Sequence, residues 1–130
     1  ERYPVKVERL ATLTRHGSAF VLVRGDKVLL VRRPPSGLLG GMMMPPTSAW
    51  TEEKVGNPLE GTPGKFAWER VGEVRHVFTH FALKLDVWTA EAPARAKVAG
   101  EWMAQEDALA ALPTVGRKAV ALALGGAKRR

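Results

Sequence analysis

The side chains whose type and spacing could do chemistry fall in three places. His76 and His80 stand four apart around Phe78 and Thr79; Glu52 and Glu53 are adjacent in a proline-rich stretch; Arg32 and Arg33 end an apolar run. On a strand, His76 and His80 share a face but lie about 13 Å apart, beyond the reach of one zinc ion, so they read as polar strand residues. Glu52 and Glu53 read as solvent-facing, because Mg²⁺ recruits carboxylates from rigid, converging positions. Arg32 and Arg33 reach phosphate or pair with acids such as Glu52. There is no phosphate loop with Lys-Ser/Thr and no Gly-x-Ser-x-Gly elbow. Gly37 to Gly41 is then a glycine-punctuated turn. No convincing catalytic set emerges.

Those residues need elements to hold them. Ala19-Phe20-Val21-Leu22-Val23 and Val28-Leu29-Leu30-Val31 are strand-length apolar runs joined by the turn Arg24-Gly25-Asp26-Lys27, which predicts a β-hairpin. Arg32-Arg33-Pro34-Pro35 ends it. Residues 34–66 carry six prolines and six glycines and read as loop, with Met42-Met43-Met44 as a short strand or a packed turn of core filler. Val74 to Phe78 reads as a strand. Phe81, Leu83, Leu85 and Val87 alternate with Ala82, Lys84, Asp86 and Trp88, a half-buried strand, and Thr79-His80 falls at the bend between the two. Residues 91–100 read as loop and Glu106 to Leu112 as a short helix. A last helix starts at Pro113-Thr114 with Thr114 as its cap. It carries Val115, Ala119 and Leu122 on one face and ends at Gly125-Gly126. Trp50, Trp68, Trp88 and Trp102 read as core or seam residues. The fold class is α+β, a mixed β-sheet with a small number of helices.

The chain has 130 residues, 45% hydrophobic and 25% charged, the size and composition of one domain. It has no cysteine, which excludes disulfides and cysteine-ligated metal clusters. Its longest apolar run, Ala119 to Leu124, is far short of the roughly 20 residues of a membrane span. The polar N-terminus does not read as a signal peptide. The net charge of +7 is uneven: residues 1–33 carry +5, residues 112–130 carry +5, and the body between carries −3. Basic ends on a mildly acidic body suit contact with a phosphate backbone, or are a solvated tail and linker.

Three stretches together resemble one family. Val28-Leu-Leu-Val-Arg-Arg-Pro-Pro-Ser-Gly-Leu-Leu-Gly-Gly-Met42, Val74-Arg-His-Val-Phe-Thr-His-Phe-Ala-Leu83 and Ala110-Ala-Leu-Pro-Thr-Val-Gly-Arg-Lys118 look like the C-terminal domain of the A/G-specific adenine DNA glycosylases, the MutY family, from about Tyr3 to Leu124. The resemblance implies a Nudix (MutT-like) fold and a non-catalytic part in base-excision repair: recognition of 8-oxoguanine opposite adenine. It implies residues 1–15 as an interdomain linker or leading arm and 16–130 as the recognition domain. The catalytic helix-hairpin-helix domain, with its iron–sulfur cluster, is absent from this chain. The implied partners are duplex DNA containing 8-oxoguanine:adenine and that catalytic domain; no cofactor is expected in this chain and no membrane partner. The expected state is a monomer, cytoplasmic in a bacterium and nucleoid-associated when bound to DNA.

The family's Phe-Ser-His loop maps onto Phe78-Thr79-His80. 8-Oxoguanine differs from guanine by an N7–H donor and a C8 oxygen, so a group that accepts from N7–H discriminates the two directly. Carried over, Thr79 makes that bond, Phe78 wedges or stacks near the bases, and His80 holds the loop or touches phosphate, with Arg33 a further DNA contact. On their own residues, Phe78 is equally a core side chain, Thr79 a backbone-bonding turn residue and His80 a strand-surface residue. The Nudix hydrolase box, Gly-x5-Glu-x7-Arg-Glu-x-x-Glu-Glu-x-Gly, is not kept. Counted from Gly40 or Gly41, Pro46 or Thr47 stands at the first glutamate, and Glu52-Glu53-Lys54-Val55-Gly56 has one residue too many. Without converging carboxylates the Mg²⁺ chemistry of that box is lost. A hydrolase of oxidised nucleoside triphosphates is the disfavoured alternative, and a module docking a repair partner through residues 44–66 a third.

Overall fold

The computed structural model describes residues 14–33, 40–51, 59, 62–78 and 81–128. Six strands and two helices lie among them: β1 (Thr14–Arg24), β2 (Lys27–Arg32), β3 (Met43–Met44), β4 (Glu69–Val77), β5 (Ala82–Glu91), β6 (Glu101–Ala104), α1 (Gln105–Ala111) and α2 (Thr114–Lys128). The strands form one mixed sheet in the order β3-β2-β1-β5-β4, with β6 also on β2. This is the α+β architecture expected from the sequence.

The centre of the sheet is the parallel pair β1 and β5, in register from Thr14↔Ala82 to Val23↔Glu91. β1 is buried without a break from Gly17 to Leu22, which is why its sequence reads as a continuous apolar run and not an alternation. β5 does alternate: Leu83, Leu85 and Val87 are buried, and Lys84 and Asp86 between them are half-buried. β4 closes the other edge of β5 antiparallel, with a register shift between Arg70 and Gly72.

The β1–β2 hairpin is short. Gly25 takes φ 62 in its turn, the left-handed region that costs glycine least. Only Val23↔Val28 and Arg24↔Lys27 pair before the strands part. β2 continues into β3 through Val31↔Met44 and Arg32↔Met43 and is flanked by β6 along Lys27–Leu30. Residues 46–51 run along β1 where β2 has left it, through bridges Ala19↔Thr47 and His16↔Thr51.

One face of the sheet packs on the helices. Val21, Val28, Leu30, Met44, Leu83, Leu85 and Val87 meet Ala108, Leu112, Val115, Ala119, Val120 and Ala123 in a single cluster. A smaller cluster on the other side joins Leu22, Leu29, Ala90 and Ala92 to Phe66, Trp68 and Trp102. Phe20 is fully buried with its ring edge-on to Trp68 at 5.5 Å. The buried hydroxyl of Thr89 donates to the Val21 carbonyl at 3.0 Å, so it adds no unsatisfied group. Arg117, in the first turn of α2, donates to the Leu109 and Leu112 carbonyls at 3.1 and 3.4 Å, placing a cation where the end of α1 leaves carbonyls without helical partners.

Four details differ from the sequence reading. β1 begins at Thr14, so Thr14 and Arg15 of the expected leading arm belong to the central strand, because β5 offers them partners. β6 falls just after the expected loop; four residues with no alternation carry no strand signal. α2 runs through Gly125 and Gly126 to Lys128, since a helical glycine costs only about 1 kcal/mol and no proline follows. The Pro113 carbonyl, not Thr114, takes the cap position, accepting from Arg117 N at 2.9 Å.

The three consecutive methionines test this packing. Met44 is fully buried, whereas Met42 is 47% exposed. Met44→Ala is expected to cost about 2–5 kcal/mol in urea unfolding, the usual range for a truncated core methionine. Met42→Ala should stay within about 0.5 kcal/mol of the parent. Equal costs would contradict the placement of β3.

Candidate nucleic-acid interface

Of the expected site residues, the described ones, Phe78 and Arg33, come together where the N-terminal end of β1 meets the end of β4. The 46–51 segment gets there despite a composition poor for strands. Pro45 and Pro46 have no N–H to give, so the ladder is completed irregularly. Phe20 N donates to the Pro46 carbonyl at 2.8 Å, and Ser48 N donates to the Ser18 carbonyl at 2.9 Å. The Ser48 hydroxyl accepts from Ser18 N at 2.9 Å and donates to the Ala49 carbonyl at 3.0 Å. His16 and Thr51 exchange both backbone bonds, at 2.6 and 2.9 Å.

This anchoring lays the Trp50 ring on the sheet over Gly17. A Cβ at Gly17 would lie 2.6 Å from Trp50 Cδ1, closer than real contacts allow, so the close approach itself requires glycine. Trp50 Nε1 is buried with no hydrogen-bond partner among the described residues.

Trp50 is the hub of an aromatic and cationic row. Its ring stacks on Phe78 at 6.4 Å and 25°, and Phe78 in turn meets Phe81 at 5.0 Å and His76 edge-on at 4.7 Å. The Arg33 guanidinium lies over Trp50, 4.4 Å from the ring centroid, and the Arg15 guanidinium over Phe81 at 5.1 Å. Cations over aromatic faces in partly desolvated positions attract by about 0.5–2 kcal/mol. Burial lowers the Arg33 pKa from its ordinary value. Phe78 N donates to the Phe81 carbonyl at 2.8 Å, closing the turn between β4 and β5.

The structure therefore brings Phe78 and Arg33, far apart in sequence, against one tryptophan. Thr79 and His80 lie outside the described residues, as do Glu52 and Glu53. Arg32 does not join the cluster: its Nη1 donates to the Gly41 carbonyl at 2.7 Å. Phe78 is half-buried and packs against the main core. Sequence reasoning missed Arg15, assigned to the arm, and Trp50, read as a seam. An isolated glycine at the start of an apolar strand, Gly17, was the available sign of a ring pressed close. Among the described residues no group of three or more acidic or histidine side chains converges in a way that could hold a metal ion.

His76 links this cluster to α2. Burial, and secondarily the positive charge of Lys118, hold its pKa below the ordinary 6.5. Lys118 Nζ itself donates to the Arg75 carbonyl at 3.4 Å. The folded state thus disfavours the imidazolium. The His76 contribution is fully present above pH 6.5 and declines as pH falls through that value, where the unfolded chain takes up the proton first. Ring-proton NMR titration should place the His76 midpoint below 6.5, and Lys118→Ala should move it only part of the way back, burial being the larger cause. A complete return would make Lys118 the dominant influence instead. Separately, Gly17→Ala should push Trp50 off β1 and alter its fluorescence; an unchanged spectrum would contradict the close approach.

The comparisons with known proteins bear on this arrangement. The fold resembles the C-terminal domain of mouse MUTYH, from its crystal structure in complex with human PCNA (TM-score 0.62, 23% identity, covering 88% of this chain and 90% of that one). It also resembles the MutT protein of Methanosarcina mazei Go1 (TM-score 0.66, 16% identity, 92% and 97% covered). A third likeness is a NUDIX hydrolase from Nitrosomonas europaea (TM-score 0.64, 15% identity, 87% and 90% covered). A search of curated proteins returns no match. Residues 18–122, spanning β1 to α2 and the whole core between them, match the NUDIX domain family, and the chain belongs to that family.

Proposed function

We propose that this chain is a recognition domain of an A/G-specific adenine DNA glycosylase, reading 8-oxoguanine opposite adenine without cutting any bond itself. A Nudix fold alone does not choose between hydrolysis and recognition, since function resides in the site. The observation that carries the choice is the meeting of the Phe78 turn with Trp50 and Arg33. An aromatic ring beside a tryptophan that also carries a cation suits a duplex, with phosphates close to stacked bases. The sequence adds the hydroxyl of Thr79 next to Phe78. It also lacks the box glutamates, with Pro46 or Thr47 at the first position, and that argues against Mg²⁺-dependent hydrolysis of a diphosphate.

In this reading Thr79 accepts from N7–H of the oxidised base, Phe78 supports or wedges the base pair, and His80 and Arg33 hold the loop or the backbone. The likeness in fold to the mouse MUTYH domain is consistent with this role. The catalytic domain that would remove the adenine, and its iron–sulfur cluster, belong to the rest of the proposed parent protein.

Equilibrium binding of this chain to matched duplexes tests the assignment. The 8-oxoguanine:adenine duplex should bind more tightly than guanine:adenine. Thr79→Ala should lose about 1–3 kcal/mol of that preference, the worth of one well-made base contact, and Thr79→Ser should retain it. Equal preference in Thr79→Ala would end the contact assignment. Release of pyrophosphate from an oxidised nucleoside triphosphate with Mg²⁺ would replace the recognition reading with the hydrolase one.

A further inference from the structure

We infer that Lys84 and Arg75, side by side on the face of the sheet turned away from the helices, form a contact for the phosphate backbone of duplex DNA. The inference rests on the reading above for the choice of duplex DNA as the occupant. The contact itself is read from strand register and charge.

Lys84 on β5 stands opposite Arg75 on β4 and opposite His16 on β1. Residues directly opposite in neighbouring strands share a face. Leu83, Leu85 and Val74, their neighbours along the strands, are buried in the cluster that includes the helices. Alternation therefore turns Lys84, Arg75 and His16 to the other side. The Arg75 side chain is 71% exposed, and Lys84 is half-buried.

Like charges directly opposite on adjacent strands destabilise a sheet, and the described residues offset this pair only weakly. The acids next along the same face are Glu73 and Asp86. Glu73 stands 3.8 Å from Arg75, a loose pair, and Asp86 is engaged by Arg70 at 2.9 Å. Lys84 has no hydrogen-bond or ion-pair partner among the described residues. Lys118 Nζ, donating to the Arg75 carbonyl at 3.4 Å, brings a third cation to β4. Cations on adjacent strands about 5 Å apart, with so little counter-charge in the chain, suit the repeated anions of a backbone, to whose oxygens ammonium and guanidinium groups donate.

Their place along the strands fits the same ligand. Lys84 is three residues from Phe81 and Arg75 three from Phe78, about 10 Å in strand geometry. The bond from Phe78 N to the Phe81 carbonyl ties the two strands together there. A major groove is about 12 Å wide, so a duplex touching Phe78 has a backbone within reach of both long side chains. Such a contact positions the duplex and carries no sequence information.

Duplex affinity measured over a range of KCl concentrations tests this, with urea unfolding beside it. Lys84→Met keeps the apolar stem and removes the ammonium. It should lower the magnitude of the salt slope by about one, so that a tenfold rise in KCl costs it about eightfold less affinity than the parent. Lesion and guanine duplexes should be affected alike, and adding Arg75→Gln should lower the slope by about one more. Lys84→Arg should keep it. Arg95 is exposed beyond the opposite end of β5, and Arg95→Gln should match the parent. Because a repulsion is removed, the unfolding midpoint of Lys84→Met should equal or exceed that of the parent. A lower midpoint would make Lys84 a structural residue and overturn the contact, as would an unchanged salt slope or an equal change in Arg95→Gln. A slope reduced by Lys84→Met in a parent that shows no lesion preference would remove the glycosylase reading and leave the contact standing. Lesion preference with an unchanged slope would do the reverse, and a parent chain that binds no duplex would overturn both.

Discussion

The fold turns on the parting of β1 and β2 after two residue pairs. A central strand with one edge open would leave buried N–H and C=O groups unpaired, each costing about 1–3 kcal/mol. The 46–51 segment fills that edge, although two prolines forbid it a regular ladder. Ser48 resolves the conflict by offering its hydroxyl where a backbone carbonyl would stand, so that Ser18 N is satisfied. Placing this segment against β1 also delivers Trp50 to its place against Phe78 and Arg33. The packing problem and the site thus share one solution.

The row of rings and cations built on that segment has a clear division of labour. Trp50 and Phe78 are half-buried, tying the row to the core, while Arg15 stands at its exposed end. Arg15 and Arg33, two of the basic residues near the start of the sequence, are thus seated on these rings. By contrast the Arg70–Asp86 pair, at 2.9 Å on the sheet surface, is a partly exposed ion pair of little energetic weight.

Much of this was legible in the sequence because it depends on local pattern. Ala19 to Val23 announced a strand, the alternation from Phe81 to Trp88 announced β5, and Gly25 marked the hairpin turn. What stayed hidden depends on contacts across long separations. Trp50 owes its place to Gly17 and Arg15 its place to a strand partner beyond residue 80, and neither relation leaves a periodic trace. The pairing of Arg33 with Phe78 through Trp50 is of the same kind. β6 was missed for a different reason, being too short to show a period. The end of α2 was misjudged because glycine weakens a helix without forbidding it.

The central strand pair sets the order in which the molecule can be made. Every β1–β5 partner lies 68 positions away, as Thr14 and Ala82 do. Local hairpins close within microseconds, but a loop of this size must be closed before the parallel pair returns any free energy. Folding is therefore expected to be slow for a chain this short. On a ribosome, the apolar stretch from Ala19 to Val23 emerges long before its partner is synthesised. For that interval it is an unpaired strand of high β-propensity, prone to join another copy of itself. The basic residues that flank it, Arg15 on one side and Arg24 and Lys27 on the other, repel such an encounter during the wait.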